Sequence, residues 1–252
     1  MSIATYSKFN QYKKLIQSLP ANFTDETIRG EEFLLEKDAK KKLEIYYAPF
    51  EYVNEHAKVA IIGITPGLHQ MKKSYSTVLN AKDQLEDDEE ILHQVKKNSS
   101  FEGPMRKNLV QMLDELGLHE YLGISSTIKL FNEASQFVYT SSVIPYPVFY
   151  NGKNYSGSTP NMLKTEILKK YVIECFASEI IKLHNPLIIP LGVNVTNVFD
   201  YLIENKLIKP ESILLGFPHT SGANGHRFKQ FEENKEQMKE IIRVHFKNQP
   251  IL

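Results

Sequence analysis

Two short stretches of the sequence gather residue types that can do chemistry. In Phe217–Arg227 (FPHTSGANGHR), His219, Ser221, Asn224, His226 and Arg227 crowd hydrogen-bond donors together, and Gly222 and Gly225 let the chain fold back on itself. Such a loop can hold an anion or a polarised oxygen; an ordinary solvated connection has the same composition, and both readings stay open. In Gly63–Gly67 (GITPG), Gly63, Pro66 and Gly67 permit a tight bend and a close backbone approach. Where a helix follows such a bend, its first N–H groups favour an anion or a carbonyl oxygen. A plain strand-to-helix turn is the alternative, because the stretch is neither a Walker loop nor a GxGxxG fingerprint.

Both stretches need strands to aim them. Lys58–Ile64 (KVAIIGI) is a nearly continuous apolar run rich in β-branched residues, the pattern of a buried parallel strand. Val138–Pro145 (VYTSSVIP), Leu187–Gly192 (LIIPLG) and Ser212–Gly216 (SILLG) supply three more strand candidates. Between them, Leu109, Met112, Leu113 and Leu116 share a helical face closed by Gly117, and a short helix is expected around Ser126–Phe131. A long helix is expected from Thr159 and Pro160 to Ile181, stopped by Asn185 and Pro186. Val195–Leu202 and an amphipathic Phe228–Phe246 complete the helices.

This alternation predicts an α/β fold: a three-layer, mostly parallel four-stranded sheet with helices on both faces and functional loops at the carboxyl ends of the strands. Tyr12, Leu15, Ile16 and Leu19 recur at helical spacing before Pro20, so residues 1–50 are expected to form an N-terminal helical extension. No repeat and no Gly/Ser- or Pro-rich linker interrupts the chain, so 1–252 is expected to be a single domain with its α/β core at 58–246. Pro147–Pro160 (PVFYNGKNYSGSTP) reads as a connecting loop, either solvated or folded over a nucleotide.

Composition narrows the function classes. Thirty Lys plus Arg balance thirty Asp plus Glu, so there is no global basic field and any nucleic-acid contact must be local. The one conspicuous charge run, Asp83–Glu90, is acidic and reads as a solvated helix face. A single cysteine, Cys175, excludes an internal disulfide and a four-cysteine metal site, which points to a reduced, cytoplasmic setting. His69 and His119 have no partners at ligand spacing, so no metal site is expected. No apolar run approaches the length of a membrane span. The 14 Phe and 13 Tyr can serve a core or a base-stacking pocket equally well.

The order GITPG, then Phe101 and Gly103 before a helix, then SSVIP, then a strand ending in LG, then HTSGANG, resembles the uracil-DNA glycosylase superfamily. Its first motif has the form G-x-[N/D/E]-P-G and its second is built on H-P-S. The resemblance spans Lys58 to Phe246 and implies a DNA partner, duplex or single-stranded, with a flipped base, and a reaction that needs neither metal nor organic cofactor. Carried over, His219 is the catalytic donor that hydrogen-bonds the departing base and stabilises the charge developing on its oxygen. Thr65 occupies the catalytic position of the family's Asn, Asp or Glu, Gly63 and Ile64 line the base pocket, and Phe101 stacks on the base unless it is simply a core residue. Ser221, Gly222, Ala223 and Asn224 are expected at the DNA backbone, with Arg227 neutralising one phosphate.

Three positions depart from the motifs. The Thr65 hydroxyl can hold a water but cannot stabilise a cation as a carboxylate does. Ser142 stands where the family reads the base with an asparagine, and offers one hydrogen bond in place of a paired contact. Thr220 replaces the proline of H-P-S, a change in loop stiffness more than in chemistry. The expected function is hydrolysis of the N-glycosidic bond of uracil or another damaged base in DNA. Two other functions fit the same residues: a non-catalytic nucleic-acid or nucleotide-binding module, and a small-molecule nucleoside hydrolase or transferase.

Overall fold

A computed structural model describes residues 7–82 and 87–247. The acidic run is therefore described only from Asp87 onward, where Asp87 caps a helix and accepts from the Glu90 amide; residues 83–86 lie outside. The described elements begin with α1 (Ser7–Gln17), α2 (Asp25–Ile28), β1 (Leu34–Asp38), β2 (Leu43–Tyr46) and β3 (Val59–Gly63). They continue with α3 (Leu68–Asn80), α4 (Asp88–Ser99), α5 (Pro104–Glu115), α6 (Leu118–Tyr121), β4 (Val138–Ser142), β5 (Val148–Tyr150) and β6 (Lys153–Asn154). The remainder are α7 (Glu166–Tyr171), α8 (Ala177–Ile180), β7 (Leu187–Pro190), α9 (Val193–Glu204) and α10 (Arg227–Lys247).

The chain forms two compact units from interleaved segments. Among the described residues, unit 1 takes those up to Tyr52 and those within Thr65–Ser100 and Pro145–Tyr155; unit 2 takes Val53–Ile64, Phe101–Ile144 and those from Ser156 to Lys247.

Unit 2 holds the α/β core. Its sheet has the order β4-β3-β7, all parallel, with Gly63 beside Ser142 at one end of the β3–β4 pairing and Ile62 beside Pro190 on β7. Alternation sorts the two faces. Val59, Ile61, Val138, Leu187 and Ile189 pack with Leu109, Met112 and Leu113 of α5 and with Phe231, Met238 and Ile242 of α10. On β4 the intervening Tyr139 and Ser141 reach the other way, and both donate to the Glu179 carboxylate of α8, at 2.5 and 3.0 Å. Helices on both faces of a parallel sheet give the expected three-layer α/β architecture.

The strand count differs from expectation. Ser212–Gly216 contributes one parallel bridge, Ile188 to Ile213, held by Ile188 N–H to Ser212 C=O at 3.1 Å and Leu214 N–H to Ile188 C=O at 2.8 Å. Pro210 has no N–H to extend the ladder upstream. Downstream, Gly216 turns the chain at φ +86 beside Asn234, with room for no side chain of its own. The long helix also departs: a 3-10 turn over Met162–Lys164 precedes α7, and a π-helical stretch, Val172–Phe176, joins α7 to α8.

Unit 1 corrects the expectation of a purely helical first 50 residues. After α1 and α2, β1 and β2 pair antiparallel and join β5 and β6 in a second sheet, order β1-β2-β5-β6. The signal was local: Leu43 and Ile45 are buried and flank the part-exposed Glu44, the period-2 pattern of a strand. Many of the aromatics become core here. Tyr12 stacks on Tyr47 at 4.1 Å, Phe33 meets Tyr75 at 4.9 Å, and the Tyr75 hydroxyl donates to the Tyr47 carbonyl at 2.8 Å. Pro147–Pro160 is likewise no plain loop. Asn151 and Gly152, both at positive φ, make the two-residue turn of the β5–β6 hairpin, as Asn-Gly does when it separates two strands.

Candidate functional site

Unit 2 brings its candidate residues to the carboxyl ends of neighbouring parallel strands, where an α/β sheet places ligands. Gly63 closes β3 and Ser142 closes β4, paired in register. A side chain at Gly63 would begin 3.0 Å from the Phe101 ring and 3.5 Å from the Ser142 hydroxyl, so glycine is what lets these three residues meet. Phe101 is 5% exposed and belongs to the core cluster, yet its ring edge forms one wall beside Gly63. Val143 N–H donates to Gly63 C=O at 2.9 Å and Ile144 N–H to Ile64 C=O at 3.1 Å, which carries the β3–β4 pairing past the strand ends. The Ile64 side chain is backed by Gly157, where an added Cβ would lie 2.9 Å from its Cδ1.

The histidine loop is seated on the end of β7. Gly192 N–H donates to Phe217 C=O at 3.0 Å, and at φ +87 Gly192 lies so close to His219 that a Cβ there would come within 2.8 Å of the His219 Cβ. Burial pushes the His219 imidazole below its usual 6.5, because a charged ring is poorly solvated there. Around neutral pH the ring is therefore neutral, with one N–H to donate.

Inside the loop, Ala223 N–H donates to the Ser221 hydroxyl at 3.2 Å, and Asn224 ties the ends together. Its Nδ2 donates to His219 C=O and to Gln230, both at 3.0 Å, while its Oδ1 accepts from His226 N–H at 3.1 Å. Arg227 Nη1 donates to Asn224 C=O at 2.9 Å, and the guanidinium lies 4.6 Å from the Phe228 ring. Gly222 and Ala223 are exposed at the tip. The Thr220 hydroxyl and Arg227 Nε are buried with no hydrogen-bond partner.

Thr65 belongs to unit 1. Its hydroxyl donates to Tyr146 C=O at 2.7 Å and accepts from Val148 N–H at 3.2 Å, fastening the turn to the start of β5. One lone pair of the oxygen remains. The helix entrance that follows is also filled: Gly67 N–H donates to Gln70 Oε1 at 2.9 Å and Leu68 N–H to Asn154 Oδ1 at 3.0 Å. These two amides, expected to favour an anion or a carbonyl oxygen, already hold side-chain carbonyls supplied by the chain itself.

Sequence reasoning gave no site role to Asn108 or Gly192. Asn108 of α5 donates its Nδ2 to Thr220 C=O at 2.9 Å. Gly192 had a signal, a glycine directly after a buried strand; a half-exposed asparagine on a helix had none. Among the described residues no group of three or more His, Cys, Asp and Glu could hold a metal ion, and no helix is long and apolar enough to cross a membrane.

Comparison with known proteins finds relatives. The family model described as Uracil DNA glycosylase superfamily matches residues 50–244. The chain is 39% identical over 243 residues to the protein named "Uncharacterized protein YoxB" of Bacillus subtilis (strain 168), covering 96% of this chain and 94% of that one. It is also similar to the crystal structure of wild-type Pedobacter heparinus SMUG2, with a TM-score of 0.46, 14% identity, and coverage of 93% and 96% of the two chains.

Proposed function

The chain belongs to the uracil DNA glycosylase superfamily, and from that premise we propose that it hydrolyses the N-glycosidic bond of uracil or another damaged base in DNA. The observation that carries this reading is the seating of His219. A largely buried, neutral imidazole is fixed at the end of β7 beside the strand whose end meets Phe101 and Ser142. Cleavage leaves the bonding electron pair on the base and an oxocarbenium-like sugar. A neutral N–H aimed at the base oxygen stabilises that charge as it forms and costs no reorganisation. Water then adds its oxygen to C1′ and its proton leaves, ultimately to the base. Phe101 offers an aromatic edge and Ser142 one hydroxyl to the base, while Ser221, Gly222, Ala223 and Arg227 face the DNA backbone.

Thr65 takes a limited role in this reading. With its proton on Tyr146 C=O and Val148 N–H on one lone pair, the hydroxyl can only accept a further hydrogen bond and is no base for a water. The same hydrogen bonds also favour a second reading, a nucleic-acid or nucleotide-binding module that has no residue to activate water. One experiment separates the two. Duplex and single-stranded oligonucleotides carrying different damaged bases are incubated with the protein and then cleaved with alkali at abasic sites. Strand scission that disappears in His219→Ala supports the glycosylase. Binding without scission on every base supports the module.

A further inference from the structure

Two consecutive carbonyls, those of His219 and Thr220, each receive a side-chain amide from a different part of unit 2. Asn224 Nδ2 reaches His219 C=O at 3.0 Å from within the loop, and Asn108 Nδ2 reaches Thr220 C=O at 2.9 Å from α5. A carbonyl only accepts, so in both cases the NH2 end of the amide must face it. Behind the same residue stands Gly192, where an added Cβ would fall 2.8 Å from the His219 Cβ, so only glycine fits. The two successive carbonyls are therefore each held by an amide, and the histidine packs closely against Gly192. Asn108 also lies one turn into α5, which opens three residues after Phe101, so the helix that follows the ring beside Gly63 carries the amide that holds Thr220.

We propose that Asn108 and Asn224 are positioning residues that clamp the main chain of His219 and Thr220 and set the distance from the His219 ring to the base held beside Phe101. The proposal rests on the glycosylase reading for its catalytic consequence. Its structural half, that the clamp orients His219, does not. The clamp gives Asn224 an internal task in place of a DNA contact. It also accounts for the loop's tolerance of Thr220 where the family motif has proline, since two hydrogen bonds supply the restraint that a ring would otherwise give. Loss of such restraint misplaces a donor by a fraction of an ångström to an ångström, which lowers a rate far more than it weakens ground-state binding.

The test uses Asn108→Asp, which keeps size and helix while removing the donor, and Asn108→Ala, which favours the helix. Wild type, both variants, His219→Ala and the Asn108→Ala, His219→Ala double variant are assayed in single turnover on a uracil-containing duplex, or on the damaged base that wild type excises fastest. In parallel, the His219 ring is followed by NMR in histidine-labelled protein. The expected result is a rate loss of about tenfold to a hundredfold in both Asn108 variants with half-saturation unchanged, and no further loss when Asn108→Ala is added to His219→Ala. The His219 resonance is expected to shift or broaden in both Asn108 variants while the other histidines stay put. An equal rate loss with and without His219, or an unmoved His219 resonance, overturns the proposal. If wild type excises no base, the glycosylase reading fails by itself, and the NMR result still decides the clamp.

Discussion

The turn after β3 and the loop before α10 differ in where their polar groups end. In the turn, the Thr65 hydroxyl, the Gly67 amide and the Leu68 amide all close on Tyr146, Val148, Gln70 and Asn154, within unit 1. In the loop, Gly222 and Ala223 stand exposed, and the Thr220 hydroxyl and Arg227 Nε are buried without a partner. A turn whose donors are satisfied by its own chain is a structural joint. A loop that leaves its tip exposed, on a main chain that is otherwise clamped, has groups to present to a partner. Glycines and polar letters alone do not tell these apart.

Substitutions can break or sharpen this contrast. The largest effect is expected from His219→Ala, which removes the donor to the departing base. Excision measured by alkaline scission should fall on the order of a hundredfold to a thousandfold, with the melting temperature nearly unchanged. Loss of fold in place of loss of rate would make the loop a joint as well.

The pH dependence comes next. Burial holds the His219 pKa below its usual 6.5, so the neutral ring persists through neutral pH and is lost only as acid brings the pH through the lowered value. Excision should be flat above about pH 7 and fall roughly tenfold per unit once below that value. Stability shares the sign: the unfolded chain takes up this proton more readily, so the contribution is present above the usual value and declines as pH falls toward the folded one. An acid limb that survives in His219→Gln would assign the titration to another group.

Gly192→Ala tests the seat. With φ at +87 and a new Cβ 2.8 Å from that of His219, it should cost about 1–3 kcal/mol in denaturant unfolding and displace the loop. Thr65→Val tests the joint. It keeps the shape but strands Tyr146 C=O and Val148 N–H, for about 1–2 kcal/mol of stability and less than a tenfold change in excision rate per folded molecule. A large rate loss in a stable Thr65→Val would place the hydroxyl in catalysis and erase the contrast. The smallest effect is expected from Arg227→Ala, which should weaken DNA binding by about 1 kcal/mol across sequences and reduce the salt slope by about one unit in titrations at several ionic strengths.

The strands and helices that rest on short-range pattern were legible. The apolar runs of β3, β4 and β7, the Leu109, Met112 and Leu113 face of α5, and the positive-φ glycine after it all follow from residues within a turn or two of each other. Gly63, Phe101 and Ser142 were named from the resemblance in motif order, and the structure places Gly63 and Ser142 at the ends of paired strands with the Phe101 ring beside Gly63. The β5–β6 hairpin was equally local, written in Asn151-Gly152, but was hidden among loop-like letters. The π-helical stretch has no local signature at all, since Val172–Phe176 reads like any apolar helix.

By itself, the sequence determined the alternation of strand and helix, the absence of a disulfide, and the two loops where donors concentrate, because these depend on composition and on periods of two and 3.6 residues. Tertiary structure alone decided which donors were already taken. Residue 65 finds its partners some eighty positions away at Tyr146 and Val148, and Thr220 finds Asn108 over a hundred positions away. A hydrogen bond is fixed by distance and direction to a single atom. No periodicity in the chain records which atom will be there.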